Sequence, residues 1–541
     1  MRQTTLSVPL EVKPESSARL ADLIEALRKR EESPPLGYPE DYSRIMRDVP
    51  SLHFMSMSVF SSREYDPLFI LEANFDGPPG AFWGQIQAAF GEDLRAMLRC
   101  CKKPLDRDGP LFEAVTAPDS RAPVAPYFEA RTMRPSVFHH GNRGMTRDRI
   151  LDEGALFAAV RDELSESNAG GPSPYRGIPA AEAHRRIRVA LLPKFEWLDR
   201  RAPKRIPLTE RVGDMLRLYL FAVTVLFALS LPGIILQAFM WTDRYLIGLG
   251  ALMAAIAVIL FLKRKPLPGT EAPGKFRLIW FLLRHSLLIA LLLAAYLAAA
   301  VPVATGLQML FMGVGAAAAW EPALRAVLLG LAFVPLALLS IVLRVRFLER
   351  RDSWHDAPHV DESTLREMVR REDWIAQNHM GSIVLIKPGV LRSIIIHAGH
   401  LGLGLFLRVK ATDGYLGSMR TVHFAHWAFL NNHSRLLFFS NFDHSWDSYL
   451  DDFIEKAHAG LTLAWGSGVG FPPTRFLVLD GASHGRMFKT WALASRAVSR
   501  FWYSAYKHLT VDQIERNARI ASGLRRLSMS EKEAARWMLD L

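Results

Sequence analysis

The sequence predicts an α+β protein divided by a helical membrane block. Three observations predict it: four long apolar segments between Leu218 and Val342, stretches of period-two alternation on both sides of them, and recurrence of the same order of elements in the two flanks. With 541 residues, each flank has enough chain to bury a core of its own.

The apolar run 218–240 is long enough to cross about 30 Å of hydrocarbon and is interrupted only by Pro232 and Gly233, which helices in lipid tolerate. Further spans are expected at 245–262, 286–304 and 323–342. Between the last two, Gly306 to Trp320 is rich in Ala and Gly and reads either as a re-entrant segment or as extended helix ends. The spans carry no acidic or basic residue at their centres, so the block reads as an anchor and not as an ion pathway.

The formal charge of +12 is concentrated beside these spans. Lys204, Arg205, Arg211 and Arg217 precede the first, Lys263, Arg264 and Lys265 open the middle loop, and Arg344, Arg346, Arg350 and Arg351 follow the fourth, whereas the other two loops offer only Arg244 and Arg325. That asymmetry predicts an integral protein of the cytoplasmic membrane with both termini cytoplasmic, and it explains the charge better than nucleic-acid binding, so no nucleic-acid partner is expected. Met1 to Pro14 lacks the apolar stretch of a secretory signal, and the adjacent Cys100 and Cys101 offer no disulfide framework, which agrees with a reducing compartment.

In the first flank (1–184), Leu6, Val8, Leu10 and Val12 alternate as a strand, and Leu20, Leu23, Ile24 and Leu27 mark an amphipathic helix. A hairpin then runs from Leu52-His53-Phe54 to Phe60 and from Leu68 to Asn74-Phe75-Asp76, followed by a helix through Phe82, Ile86 and Phe90 and a closing strand at Pro126 to Thr132. The second flank (379–541) repeats this order. Ser382 to Ile386 is its first strand, Val390 to Leu407 an unusually apolar helix that lies either on the membrane or against the other module, and Val422-His423-Phe424 to Leu430 with Leu436 to Asn441-Phe442-Asp443 its hairpin. A helix through Trp446, Tyr449, Leu450 and Phe453 follows, with a closing strand at Thr474 to Leu479. Thr146-x-Asp148-x-Ile150 also matches Thr510-x-Asp512-x-Ile514 without a gap.

The order βαββαβ is the ferredoxin-like arrangement, so the expected architecture is two ferredoxin-like modules related by internal duplication and flanking a four-helix transmembrane block (218–343), with linkers at 185–217 and 344–378. The modules are expected to pack together within one chain or between two copies, because paired sheets bury apolar faces that one module leaves open.

Two such modules resemble the dimeric α/β-barrel superfamily, which includes the dye-decolorising peroxidases and chlorite dismutases. Ala73-Asn74-Phe75-Asp76-Gly77 is similar to the Gly-x-x-Asp-Gly motif of the former, with Ala73 where the motif has its first glycine. The resemblance implies haem as a cofactor and a peroxidase-like oxidoreductase. On that reading the pocket lies in the second module, with His423, His426, Asp443 and Tyr503 in catalytic roles and His379, His423, Asn441 and Arg519 holding the cofactor.

Each of these residues also has a plainer role. A strand histidine is commonly hydrogen-bonded in a core, Asp76 and Asp443 stand where an aspartate caps free helix N–H groups, and aromatics such as Trp502, Tyr503 and Tyr506 commonly pack. The chain has no phosphate-binding loop, nucleophile elbow, His-Glu-x-x-His or Cys-x-x-Cys. The alternative is therefore a non-catalytic sensor or assembly module that binds a small apolar ligand or a protein partner at the membrane. Finally, Arg185 to Arg217 interleaves cations with Leu191, Leu192, Phe195 and Trp197, a pattern that suits either anionic lipid headgroups or simple positive-inside anchoring.

Overall fold

The computed structural model describes residues 3–33, 43–62, 65–165, 173–262, 283–354, 360–372, 376–411, 414–416 and 419–541. The expected middle loop, Lys263 to Arg277, lies outside the described residues. The chain divides into two compact units, one formed by Met1–Arg211 with Ser353–Leu541 and the other by Val212–Asp352.

The first unit is built on two antiparallel sheets. Strands β1 (Gln3–Glu11), β2 (Leu52–Phe60) and β3 (Leu68–Asp76) come from the first flank, and β5 (Gln377–Leu385), β6 (Val422–Leu430) and β7 (Arg435–Asp443) from the second. The edge strands are exchanged: β4 (Val137–His140) of the first flank pairs with β6, and β9 (Ser499–Ser504) of the second pairs with β2. With β8 (Arg496–Ala497) against β5, the sheet orders are β1-β3-β2-β9 and β8-β5-β7-β6-β4.

Alternation explains why the sheets pair. Along β3, Phe69, Leu71, Ala73 and Phe75 join the core under helices α1 (Ser17–Glu32) and α2 (Pro79–Leu98), while Leu68 and Ile70 face the other way. Those two meet Ile383, Leu437 and Phe439 of the second sheet in a core of their own, with the Phe60 and Phe439 rings 6.1 Å apart. A sheet buried on both faces reads as a nearly continuous apolar run, as β3 and β7 do.

Both expected closing strands are corrected. Pro126 to Thr132 is largely a helical turn, Ala125–Ala130, because Pro126 suits a first helical position and Tyr127 and Phe128 bury themselves beside Phe112 and Trp83. Thr474 to Leu479 is a small hairpin, Thr474–Arg475 against Leu479–Asp480, turned by Phe476 and Leu477 at φ 55° and 69°. The strands that do complete the sheets, β4 and β9, each precede a capped helix: α3 (Arg147–Ser165) and α11 (Val511–Leu524).

The basic segment is also corrected. Helix α4 (Ala180–Leu191) and the turn after it pack Leu191, Phe195 and Leu198 against Ile520, Leu524 and Trp537, and the Arg525 guanidinium covers the Trp197 ring at 4.4 Å. The apolar residues of this stretch complete a protein core.

In the second unit, α5 (Leu208–Phe239), α6 (Thr242–Leu262), α7 (Ser286–Met312) and α8 (Ala316–Glu349) are each long and apolar enough to cross a membrane. The stretch 306–320 is two extended helix ends, since α7 runs to Met312, Gly313 ends it at φ 66°, and α8 starts at Ala316. Gly233 and Gly330 set the closest approach of α5 and α8: a Cβ on Gly330 would stand 2.4 Å from the Ile234 side chain, and one on Gly233 2.5 Å from Phe333 Cβ.

Among the described residues a fifth helix of sufficient length and hydropathy, α9 (Val390–Lys410), belongs to the first unit, as does the helix α10 (Trp446–Trp465) that follows β7.

Candidate functional site

Strand register aligns the two halves residue by residue. Asn74 pairs with Thr5 and Phe54 just as Asn441 pairs with His379 and Phe424, and Glu72 pairs with Ser7 and Ser56 just as Phe439 pairs with Gly381 and His426. Two kinds of position emerge, those at which the halves agree and those at which they differ.

His53 with Asp76, and His423 with Asp443, agree. His423 Nε2 lies 2.8 Å from Asp443 Oδ1, and Asp443 Oδ2 accepts from the Val511 backbone N–H at 2.9 Å, at the start of α11. In the first half His53 Nε2 lies 3.2 Å from Asp76, which accepts from Arg147 N–H at 2.8 Å at the start of α3. A carboxylate at a helix N-terminus meets unpaired N–H groups and the positive end of the dipole. The repeated His–Asp pair thus pins each helix to the end of a sheet. His53 also shares a hydrogen bond of 2.9 Å with the Tyr506 hydroxyl.

The halves differ at the centre of the sheet interface. Glu72 is fully buried, with Ser56 Oγ donating to it at 3.0 Å, Asn74 also donating, and Asn441 Nδ2 reaching across at 3.3 Å. His379 Nε2 faces it at 3.5 Å, and His426 shares a 2.8 Å hydrogen bond with Ser7 of the opposite sheet. Trp502 Nε1 donates to Asn441 Oδ1 at 2.8 Å. Burial alone would raise the Glu72 carboxyl, but the adjacent His379, then His426 and Asn74, outweigh it and leave it below the usual carboxylate range. Burial lowers His426 to about 4. In the second half the acid is replaced by Phe439, whose ring lies so close over Gly381 that a Cβ there would come within 2.3 Å.

Of the residues singled out from sequence, His379, His426 and Asn441 therefore share this buried cluster, while His423 and Asp443 form the capping pair beyond it. Tyr503 sits in β9 in the first-sheet core, and burial pushes its phenol up. Arg519 is elsewhere, on the outer side of α11, where Asp540 holds its guanidinium at 2.9 Å. Glu72 was not anticipated, although an acid in the inward register of Leu68 and Ile70 was a visible break in an apolar strand face.

Haem does not fit these residues. His423 directs Nε2 at Asp443, and its ring is enclosed by Phe54 and Tyr506 at 5.3 and 5.9 Å between centroids. His426 bonds Ser7 through Nε2 and is likewise buried, and the residues lining the clefts below include neither histidine. Among the described residues no group of three or more His, Cys, Asp or Glu side chains is arranged to hold a metal.

Open space lies at the rim. A cleft of about 50 Å³ touches His379, Ser499, Trp502 and Arg496. A larger one, about 300 Å³, is lined by Gln3, His140 and Arg143 of the first flank, Arg408 of the second, and Lys204, Arg205 and Glu210 ahead of the first span. Its walls are tied together. Arg143 donates to the Arg408 carbonyl at 2.7 Å, Arg205 binds Glu515 through two 2.8 Å contacts, and Gly144, at φ 79°, comes so close to Arg205 that a Cβ would stand 2.0 Å from its carbonyl oxygen. A neighbouring cleft of about 500 Å³ shares Gly144 and Lys204 and adds Arg149, Arg200, Arg201 and Arg525 alongside Asp148, Asp152 and Glu153.

Comparison of the chain with protein-family models, with curated proteins and with solved structures finds no match.

Proposed function

We propose that this chain is a membrane-anchored, non-catalytic sensor or assembly module whose ligand is a small anion held in the cleft between Arg143, Lys204, Arg205 and Arg408. The observation that carries the reading is the make-up of that cleft: four cationic side chains, with Glu210 in the lining and Glu515 behind Arg205, around a space of about 300 Å³, the size of a small-molecule site. Arginine forks suit phosphate or carboxylate oxygens, which favours such a ligand over the small apolar ligand or protein partner expected of a non-catalytic module.

The cleft joins residues of both flanks and of the segment 204–210 within the first unit. The body around it is read as two ferredoxin-like halves derived by duplication, on the strength of the matching registers. Its place is read as the cytoplasmic face of the cytoplasmic membrane, on the strength of the Lys and Arg beside the spans. The peroxidase-like reading is set aside because His423 and His426 are buried among protein side chains and line none of the clefts described above.

Full-length protein in detergent should show an unfolding midpoint that rises by several degrees with millimolar inorganic phosphate or pyrophosphate at constant ionic strength, as linkage requires of a ligand that binds the folded state. Arg143→Gln with Lys204→Gln should remove the rise. An unmoved midpoint, or an equal response from the double variant, would end this reading.

A further inference from the structure

Helix α9 (Val390–Lys410) is long and apolar enough to span a bilayer, yet its place in the chain forbids it. It connects β5 to β6, and both of these strands pair with β7 in one sheet. A crossing would put β5 and β6 on opposite sides of the membrane.

What the helix does instead follows from its two faces. Ile396 and His400 are buried, and His400 is held by Ser136 Oγ at 3.0 Å, next to β4. At 100° per residue the opposite arc, from Leu401 and Ile394 round to Phe406, has only apolar side chains or glycine, with Ile394, Leu401 and Phe406 exposed by 60, 53 and 49%, and Val390, 79% exposed, stands on its border. Arg392, Arg408 and Lys410 fall along the borders of that arc. An unbroken apolar face with cations at its edges is the pattern of a helix lying in a membrane interface, where long cationic side chains reach the headgroups.

The C-terminal end of the helix is tied to the segment ahead of the first span. Arg408 lies 3.6 Å from Glu210, and Arg143 links the two, donating to the Arg408 carbonyl and pairing with Glu210. Glu210 is in the first turn of α5.

We propose that the outward face of α9 is docked on the lipid bilayer, with Val390, Ile394, Leu401 and Phe406 inserted at the headgroup–acyl boundary and Arg392 and Lys410 among anionic headgroups. The inference rests on the membrane-anchored part of the function above and is independent of the anion.

Single cysteines at Ile394→Cys, Leu401→Cys and, as a control on exposed Glu455, Glu455→Cys, each carrying an environment-sensitive fluorophore, test it in full-length protein reconstituted into phosphatidylglycerol–phosphatidylcholine vesicles. Shallow spin-labelled lipid should quench positions 394 and 401 about threefold more than 455, as insertion of about 5–10 Å requires, and aqueous iodide should quench them less. Three results would overturn it: iodide quenching at 394 and 401 equal to that at 455, which leaves the face in water; protection from both quenchers, which assigns it to a protein partner or a second copy; and strongest quenching by deep-labelled lipid, which makes α9 a span. Anchoring by α5 to α8, read from whether the protein stays with the vesicles after a carbonate wash, is scored separately.

Discussion

Acidification from pH 7 to pH 4 is expected to remove several kcal/mol of stability from the soluble unit. Burial lowers His139 and His426 to about 4 and His140 well below its ordinary value. Their folded values are depressed, so above about pH 6.5 both states are neutral and the full stability is present. Below it the unfolded chain takes up protons that the folded sheets refuse; His139 and His426 each withdraw about 3 kcal/mol by the time pH reaches their folded value, and His140 acts in the same direction. Glu72 acts in the same direction at lower pH: its folded carboxyl is depressed, so its contribution is present above the ordinary carboxylate value and is lost as pH falls further. The unfolding midpoint, followed from pH 8 to pH 4, should therefore hold steady and then fall increasingly below about 6.5. His426→Asn should flatten part of that fall. A midpoint indifferent to pH across this window would mean that these rings are not enclosed as described.

Asp443→Ala should destabilise the protein by about 3 kcal/mol, because it removes the partner of a buried histidine and uncovers a helix N–H in one step. Asp443 is 1% exposed and accepts from Val511 N–H while bonding His423. Asp76→Ala should cost a comparable amount through His53 and Arg147. Asp443→Asn retains an acceptor for the Val511 N–H and should recover at least half of the loss, which a role resting on carboxylate charge alone would not allow. Chemical denaturation of the three variants checks this. If Asp443→Ala unfolds like the parent, the His–Asp pair is not what fastens α11 to its sheet.

Much of this architecture is legible in local sequence. The hairpins are announced by Leu-His-Phe with Asn-Phe-Asp in one flank and Val-His-Phe with Asn-Phe-Asp in the other, and the spans by the length and hydropathy of their runs. What local sequence does not carry is partner choice. β4 has only four residues, Val-Phe-His-His, and its partner Phe424-Ala425-His426-Trp427 lies nearly three hundred positions away, so the exchange of edge strands has no periodic signature of its own. Pro126 and the Tyr127-Phe128 pair read equally well as strand or as helix start, and burial beside Trp83 decides for the helix. The same holds for Phe195, an aromatic between cations whose destination is set by Trp537 and Ile520 at the far end of the chain.

The candidate site divides similarly. His423 and Asp443 could be paired from the repeated motif alone, whereas the meeting of Glu72 with His379 and Asn441 requires the sheets to be placed face to face. The cationic cleft draws on residues 143, 204, 205 and 408, which no spacing rule brings together.

The exchange of edge strands is the claim on which the rest depends, since it makes one body of the two flanks and places both on the same side of any membrane that the intervening helices cross. Ser58 and Ser499 are register partners across the β2–β9 seam. In a chain whose buried Cys100 and Cys101 have been changed to alanine, Ser58→Cys with Ser499→Cys should form a disulfide within single chains on mild oxidation, giving a product of monomer mass with shifted mobility. Failure to cross-link, or cross-linking only between chains, would contradict it.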